Sequence, residues 1–251
     1  MDHGKPKVLR AVMTAVLASA LLASGRTAAA EGATEPPAPA VPYPDGYVDF
    51  CRIDVEAAQL FPAFIPQENV FVGCATTPLD LVEWQNNVGG DFRSYLIATM
   101  VRGTANGRVS EAQFSAFANG LKQQMPAMDD RREWIEQRLD QSSAAIAETL
   151  GSETRTKVAR VVALGFFDEG PGKISAAWIV DATHMIAGRT IEAQQVQVSS
   201  SLLIDGRVYV LFTYGRYEKP SDVERYKDIA TAWAGEFLQS NVRGATAAPS
   251  R

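Results

Sequence analysis

The sequence predicts an α+β domain: an antiparallel sheet with amphipathic helices packed on it, as an α/β/α sandwich. Three observations carry that expectation. Residues 157–182 and 191–217 are rich in valine and aromatic residues and alternate with the period of two that strands require. Helical stripes lie before and after those strands rather than between them, which argues against a doubly wound parallel sheet. Asp205-Gly206 sits between two apolar runs, a strong short-range hairpin signal.

Taken in order, residues 1–30 read as a signal peptide. Lys5, Lys7 and Arg10 precede the apolar run 11–23 (AVMTAVLASALLA), and small residues end at Ala28-Ala29-Ala30. The run has 13 residues, about 20 Å as a helix, short of the roughly 30 Å hydrocarbon core. Cleavage is expected before Glu31, leaving no transmembrane segment and placing the chain in the periplasm or outside a bacterial cell. Residues 31–46 hold Pro36, Pro37, Pro39, Pro42 and Pro44, and a backbone so poor in donors predicts an extended spacer. A single domain is then expected over 47–241, with a disordered tail over 242–251.

Val48–Cys51 and Val70–Cys74 are expected as strands, each ending in a cysteine. Cys51 and Cys74 read either as a redox or metal pair or as one structural disulfide. Without a C-x-x-C arrangement the disulfide is favoured, and it suits an oxidising compartment. Phe92–Val101 is the next strand. Ser110-x-x-Gln113 has the form of a capping box, opening a helix with Phe114, Phe117, Ala118, Leu121 and Met125 on one face. A second helix is expected from Asp129 to Leu150, with Ile135, Leu139 and Ile146 aligned and Gly151 as its cap.

Strands follow over Lys157–Phe167, Ile174–Ala182, Ile191–Ile204 and Arg207–Tyr217, the first two joined by a turn at 168–172. Val208, Val210, Phe212 and Tyr214 alternate with Tyr209, Leu211 and Thr213, so both faces of this strand demand cover. The Gln/Ser-rich strand 191–201 is expected at an open edge of the sheet. Ser221-x-x-Glu224 has capping-box spacing, ahead of a helix with Val223, Tyr226, Ile229, Ala230, Trp233 and Phe237 on one face. Trp233 and Phe237 are expected to dock that helix across the sheet.

The run Leu202–Leu211, followed by the helix from Ser221 to Asn241, resembles the end of a PsbP-like α/β/α sandwich, a fold found in an extrinsic subunit of the oxygen-evolving photosystem, in a Ran-binding nuclear transport factor and in uncharacterised exported bacterial proteins. The resemblance extends over about residues 68–241. It implies binding and assembly roles and carries no site residue with it.

Chemistry is thinly signalled. Four basic residues (Lys5, Lys7, Arg10, Arg26) and Asp2 leave with residues 1–30, so 24 basic against 29 acidic becomes 20 against 28. A net negative chain disfavours nucleic acid. Arg131-Arg132 follows Asp129-Asp130 and reads as a solvated helix start. His184 would be the single histidine left, with no metal-ligand spacing and no G-x-S-x-G serine to serve. Gly170-Pro171-Gly172-Lys173 resembles a P-loop tail, but Ile174 replaces the Ser/Thr that would hold Mg²⁺. Asn87-Val88-Gly89-Gly90 is a lone Gly-rich turn. Asp168-Glu169 could bind Ca²⁺ or act on a sugar, though a solvated hairpin end suits them better. Trp178, Tyr209, Phe212, Tyr214 and Tyr217 could line a groove, but most of them suit core and cross-strand pairs, and Tyr217, beside Arg216, is the better candidate for an exposed contact.

The sequence therefore predicts an exported accessory or binding protein of the cell envelope with an envelope protein as partner. It predicts no catalytic residue, no metal and no cofactor. The alternatives are an exported hydrolase working through carboxylates and a small-ligand carrier with an aromatic groove.

Overall fold

The computed structural model describes residues 39–86, 92–105, 108–125, 154–186 and 189–245. The expected helix over 129–150, Arg131-Arg132, Asn87–Gly90 and the expected signal peptide over 1–30 lie outside the described residues.

Among the described residues seven strands form one antiparallel sheet in the order β1-β2-β3-β7-β6-β5-β4. They are β1 (Val48–Asp49), β2 (Asn69–Thr76), β3 (Ser94–Val101), β4 (Thr154–Gly170), β5 (Lys173–Ile186), β6 (Arg189–Ile204) and β7 (Arg207–Arg216). Helices α1 (Phe50–Ile53), α2 (Val55–Leu60), α3 (Pro78–Gln85) and α4 (Glu111–Gln124) cover one face. Helix α5 (Ser221–Ala245) covers the other. The α+β expectation is met, with helices on both faces.

The expected hairpin forms at Asp205-Gly206, where both residues take positive φ, 50° and 73°. The β4–β5 turn is tighter than expected: β4 continues through Asp168 and Glu169 to Gly170, and only Pro171-Gly172 turns the chain. Ser110 and Gln113 close both bonds of the capping box at the start of α4. Helix α5 starts differently. Ser221 lies inside its first turn, while the Asp222 carboxylate reaches back to the N–H groups of Glu218 and Lys219 at 2.9 and 2.8 Å. Those bonds to the charged form hold the Asp222 pKa below the usual carboxylate range. The helix runs to Ala245, four residues into the expected tail.

Two further expectations are corrected. Strand β6 is interior, paired with β5 on one side and β7 on the other, so the Gln/Ser-rich run 191–201 is no edge. The edges are β1, only two residues long, and β4, whose pairing is broken by three register shifts. Short edges and bulges both discourage edge-to-edge association. Cys51 lies in α1, not in a strand. Asp49 accepts from Arg52 N and caps α1, and Asp54 accepts from Ala57 N and caps α2. The Asp49 cap starts α1 at once and so ends β1 after its second residue.

Cys51 and Cys74 are a disulfide-capable pair, their Cα atoms 5.3 Å apart, linking α1 to β2. Beneath them Phe50, Phe61, Trp84, Phe92 and Tyr95 meet mostly edge-to-face, with centroids 5.5–6.3 Å apart. On the other face Trp233 and Phe237 are fully buried against β3, β6 and β7, and burial of a side chain such as Phe237 contributes roughly 1.5–3 kcal/mol.

The described part of the proline-rich segment begins at residue 39. Its last residues lie on the domain as a strap: Asn241 Oδ1 accepts from Ala40 N, its Nδ2 donates to Ala40 O, and Trp233 Nε1 donates to Pro42 O at 2.8 Å. Val41, Tyr43 and Tyr47 pack beside α5 over the β2 side of the sheet.

Two glycines test the packing in opposite directions. A Cβ on Gly215 would stand 1.7 Å from the Tyr226 ring, so Gly215→Ala is expected to cost about 3 kcal/mol in urea denaturation. A Cβ on Gly120, within α4, meets nothing within 4 Å, so Gly120→Ala is expected to add about 0.5–1 kcal/mol. Equal midpoints for the two variants would contradict this packing. Replacing both Cys51 and Cys74 by serine is expected to remove about 3 kcal/mol under oxidising conditions, because a bridge of this loop length restricts the unfolded chain. Reductant should bring the parent down to the variant's midpoint.

Candidate functional site

The densest polar constellation lies where β3 begins. Thr77 caps α3, accepting from Asp80 N at 3.2 Å and donating to Asp80 Oδ2 at 2.8 Å. Pro78 at the first helical position gives up an N–H that needs no partner there. The Asp80 side chain, 1% exposed, also accepts from Arg93 N, Arg93 Nη1 and Ser94 N. Arg93 turns its other edge to Glu83, with bonds of 2.7 and 3.1 Å. The guanidinium holds the Glu83 carboxyl below its usual range.

Ser94 is the node of this network. Its Oγ donates to Tyr214 O at 3.0 Å and lies 2.5 Å from Tyr47 OH. With the serine proton committed to the carbonyl, Tyr47 is the donor in the second bond. Thr76 Oγ1 donates to Ser94 O, and Tyr226 OH donates to Arg93 O at 3.2 Å. Residues next to β1, β2, α3, β3, β7 and α5 are thus held together around two consecutive residues.

This arrangement clasps rather than reacts. A nucleophilic serine needs a base that takes its proton. Ser94 instead faces a carbonyl and a phenol, and burial pushes the Tyr47 phenol up to about 12. Burial raises Tyr226 as well. Both hold their protons, as hydrogen-bond donors in a clasp must.

The residues singled out by sequence do not converge. His184 lies in β5 opposite Thr156 and Ile191, whereas Ser199 lies opposite Ala176. Positions 176 and 184 are eight residues apart on one strand, about 26 Å at ~3.3 Å per residue, beyond any hydrogen bond. Ser199, Ser200 and Ser201 are buried, and Ser200 Oγ bonds Ser175 Oγ at 2.7 Å. Asp168 pairs with Lys173 at the hairpin end, and Glu169 pairs with Lys122 of α4. They are tied by lysines to the hairpin and to a helix. Gly170–Lys173 is the hairpin turn itself. Trp178, Tyr209, Phe212 and Tyr214 are buried in the core, and Tyr217 packs half-buried beside α5. Among the described residues no group of three or more His, Cys, Asp and Glu could hold a metal ion. No helix among them is long and apolar enough to cross a membrane.

A different set stands out on the surface. Ile53 and Val55 at the α1–α2 elbow are 54% and 73% exposed, and Leu79 and Val82 on the outer side of α3 are 56% and 51% exposed. They are four of the five large apolar side chains exposed among the described residues, the fifth being Met185. The sequence reading missed them because short capped helices have no long periodic stripe. The signals available were Asp at 49 and 54 as caps, and Thr77-Pro78-Leu79-Asp80 as a helix start.

No family model and no curated protein matches the chain. Among solved structures it is similar to a point mutant of protein Mog1, at 10% identity and a TM-score of 0.32, covering 80% of this chain and 85% of that one. It is also similar to the Saccharomyces cerevisiae Ran-binding protein Mog1p, at 10% identity and a TM-score of 0.28 over the same shares. A likeness this low carries no argument about role. The expected PsbP-like resemblance is corrected: the two solved structures named above are Mog1 proteins, and no family model matches the chain. Its basis was a hairpin followed by a helix, a unit that many antiparallel sheets with one covering helix share.

The clasp predicts a pH dependence. The folded protein holds the Tyr47 proton more tightly than the unfolded chain, whose tyrosines titrate near 10. This stabilisation is complete below pH 10 and drains away as pH rises toward 12. Tyr47→Phe should be less stable at neutral pH yet lose less stability between pH 10 and 12. Parallel stability–pH curves for parent and variant would contradict the clasp.

Proposed function

We propose that this protein is an exported, non-catalytic accessory protein of the bacterial cell envelope, and that it binds another protein through α1, α2 and α3. The carrying observation is the concentration of Ile53, Val55, Leu79 and Val82 on those three short helices. Isolated exposed apolar residues are ordinary, but their gathering on one helical layer is what partner surfaces show. The helices are held from below by the aromatic cluster and by the Asp80 network, so the surface is presented rigidly. Rigid presentation lowers the ordering cost of association.

The leader-like residues 1–30 support export, and the Cys51–Cys74 pair suits an oxidising compartment. Cell fractionation with N-terminal sequencing tests this part: envelope or medium localisation with a chain starting at Glu31 is expected. A cytoplasmic chain starting at Met1 would defeat it.

Site-specific photo-crosslinking in the native envelope tests the surface. Probes at Val55 and Val82 are expected to give one shared protein adduct, while probes at Glu224 and Glu236 on α5 give none. Val55→Ser combined with Val82→Ser should abolish an adduct formed from a probe at Leu79, with stability changed by no more than about 0.5 kcal/mol per substitution. Equal labelling from both helical layers would sink the proposal.

A further inference from the structure

The strap over α5 is built like a peptide in a recognition groove. Trp233, Phe237 and Asn241 lie at successive four-residue spacings on α5, hence on one face. Asn241 reads the main chain of Ala40 in both directions, through Oδ1 at 3.0 Å and Nδ2 at 2.9 Å. A further bond from Nδ2 to Phe237 O, at 2.8 Å, orients the amide. Trp233 Nε1 donates to the Pro42 carbonyl, and the Tyr43 ring lies on the indole with centroids 6.1 Å apart. Gly73 completes the seat: a Cβ there would stand 2.5 Å from Tyr43 OH. Indole N–H groups and side-chain amides reading an extended, proline-bearing backbone are the physics of polyproline recognition.

The connection of strap to domain is a short turn whose first residue, Pro44, is buried. Pro44-Asp45-Gly46 turns the chain into β1, closed by one bond, Tyr47 N to Pro44 O at 3.1 Å. Asp45 and Gly46 are exposed, and Gly46 takes φ +87° with nothing within 4 Å of a Cβ position. Pro42 and Pro44 keep the segment extended without the groove, which lowers the cost of presenting it elsewhere.

We propose that two copies of this chain associate by exchanging the strap, Ala40–Tyr43 of each occupying the Gly73–Trp233–Asn241 groove of the other. Every contact in the groove is the same in the closed monomer and the exchanged dimer. The balance between them is therefore set by concentration and by the hinge at Gly46 alone. The proposal stands apart from the α1–α3 surface, which lies on the opposite face.

The hinge gives a test with a sign. An alanine at φ +87° is strained in the closed turn, and opening the hinge relieves that strain twice per dimer. Equal amounts of unlabelled and ¹⁵N-labelled full-length chain would be mixed at rising concentration, incubated warm and weighed by native mass spectrometry. A mixed dimer is expected to appear with concentration, and Gly46→Ala is expected to raise its association constant at least tenfold. Trp233→Phe removes the bond to Pro42 O from both forms. It should speed exchange while leaving the monomer–dimer ratio within about twofold. A chain that stays monomeric for parent and Gly46→Ala alike overturns the proposal. A dimer whose constant Gly46→Ala leaves unchanged overturns it equally, because that dimer is held elsewhere.

Discussion

The pairing of β3 with β7 is the contact on which the rest depends. It joins an N-terminal unit, β1 to β3, to a C-terminal meander, β4 to β7, across more than a hundred residues of sequence. Nothing local favours it, and the loop entropy of closing so long a segment must be met by contacts made only when it forms. The seam is accordingly dense. Thr99 Oγ1 donates to Val210 O and Ser94 Oγ to Tyr214 O, both within the sheet. Tyr95 and Tyr214 stack with centroids 4.5 Å apart. Helices on both faces cover the seam, so neither face is left for water to compete for those bonds.

Breadth imposes the second constraint. Seven strands at about 4.8 Å spacing make a sheet about 29 Å across, and one helix covers only about 10 Å of it. On its face α5 sits over β6 and β7 and reaches β5. The β2 side of that face needs another cover, and Val41 and Tyr43 of the strap supply it together with Tyr47. On the β4 side the bulged edge strand brings Val162, Leu164 and Phe167 against the α5 cluster, and Lys227 lies over the Phe167 ring. Both flanks are solved with chain that composition alone would assign to a linker or to a plain edge.

What the sequence shows of the fold follows from period and punctuation. The four strands β4 to β7, the Asp205-Gly206 turn, the Ser110–Gln113 capping box and the Trp233 and Phe237 anchors are all readable, because each is specified by residues close in sequence. Strand order is not. The Gln/Ser run 191–201 looks like an edge because its side chains are polar, yet Ser200 is buried against Ser175 and Gln197 is buried too. Polar groups on one strand satisfied by the next read as solvated until the neighbour is known. The strap is illegible for a related reason: its partners, Trp233 and Asn241, lie about 200 residues away.

The same reasoning separates the clasp from the exposed helices. Asp80, Ser94, Tyr47 and Tyr226 resemble a reactive centre in composition, but their hydrogen bonds lead inward, each donor committed to a carbonyl, hydroxyl or carboxylate. Such a network gains by excluding ligands, since a competing group would leave a buried partner unpaired at roughly 1–3 kcal/mol. Its rigidity is passed to α3 through Asp80, and α3 turns Leu79 and Val82 to the outside. Had those two positions been polar, nothing in the clasp or in the aromatic cluster beneath would have changed, because neither residue belongs to them. Neither Leu79 nor Val82 belongs to a core cluster among the described residues, and it is on this that the proposed partner surface rests.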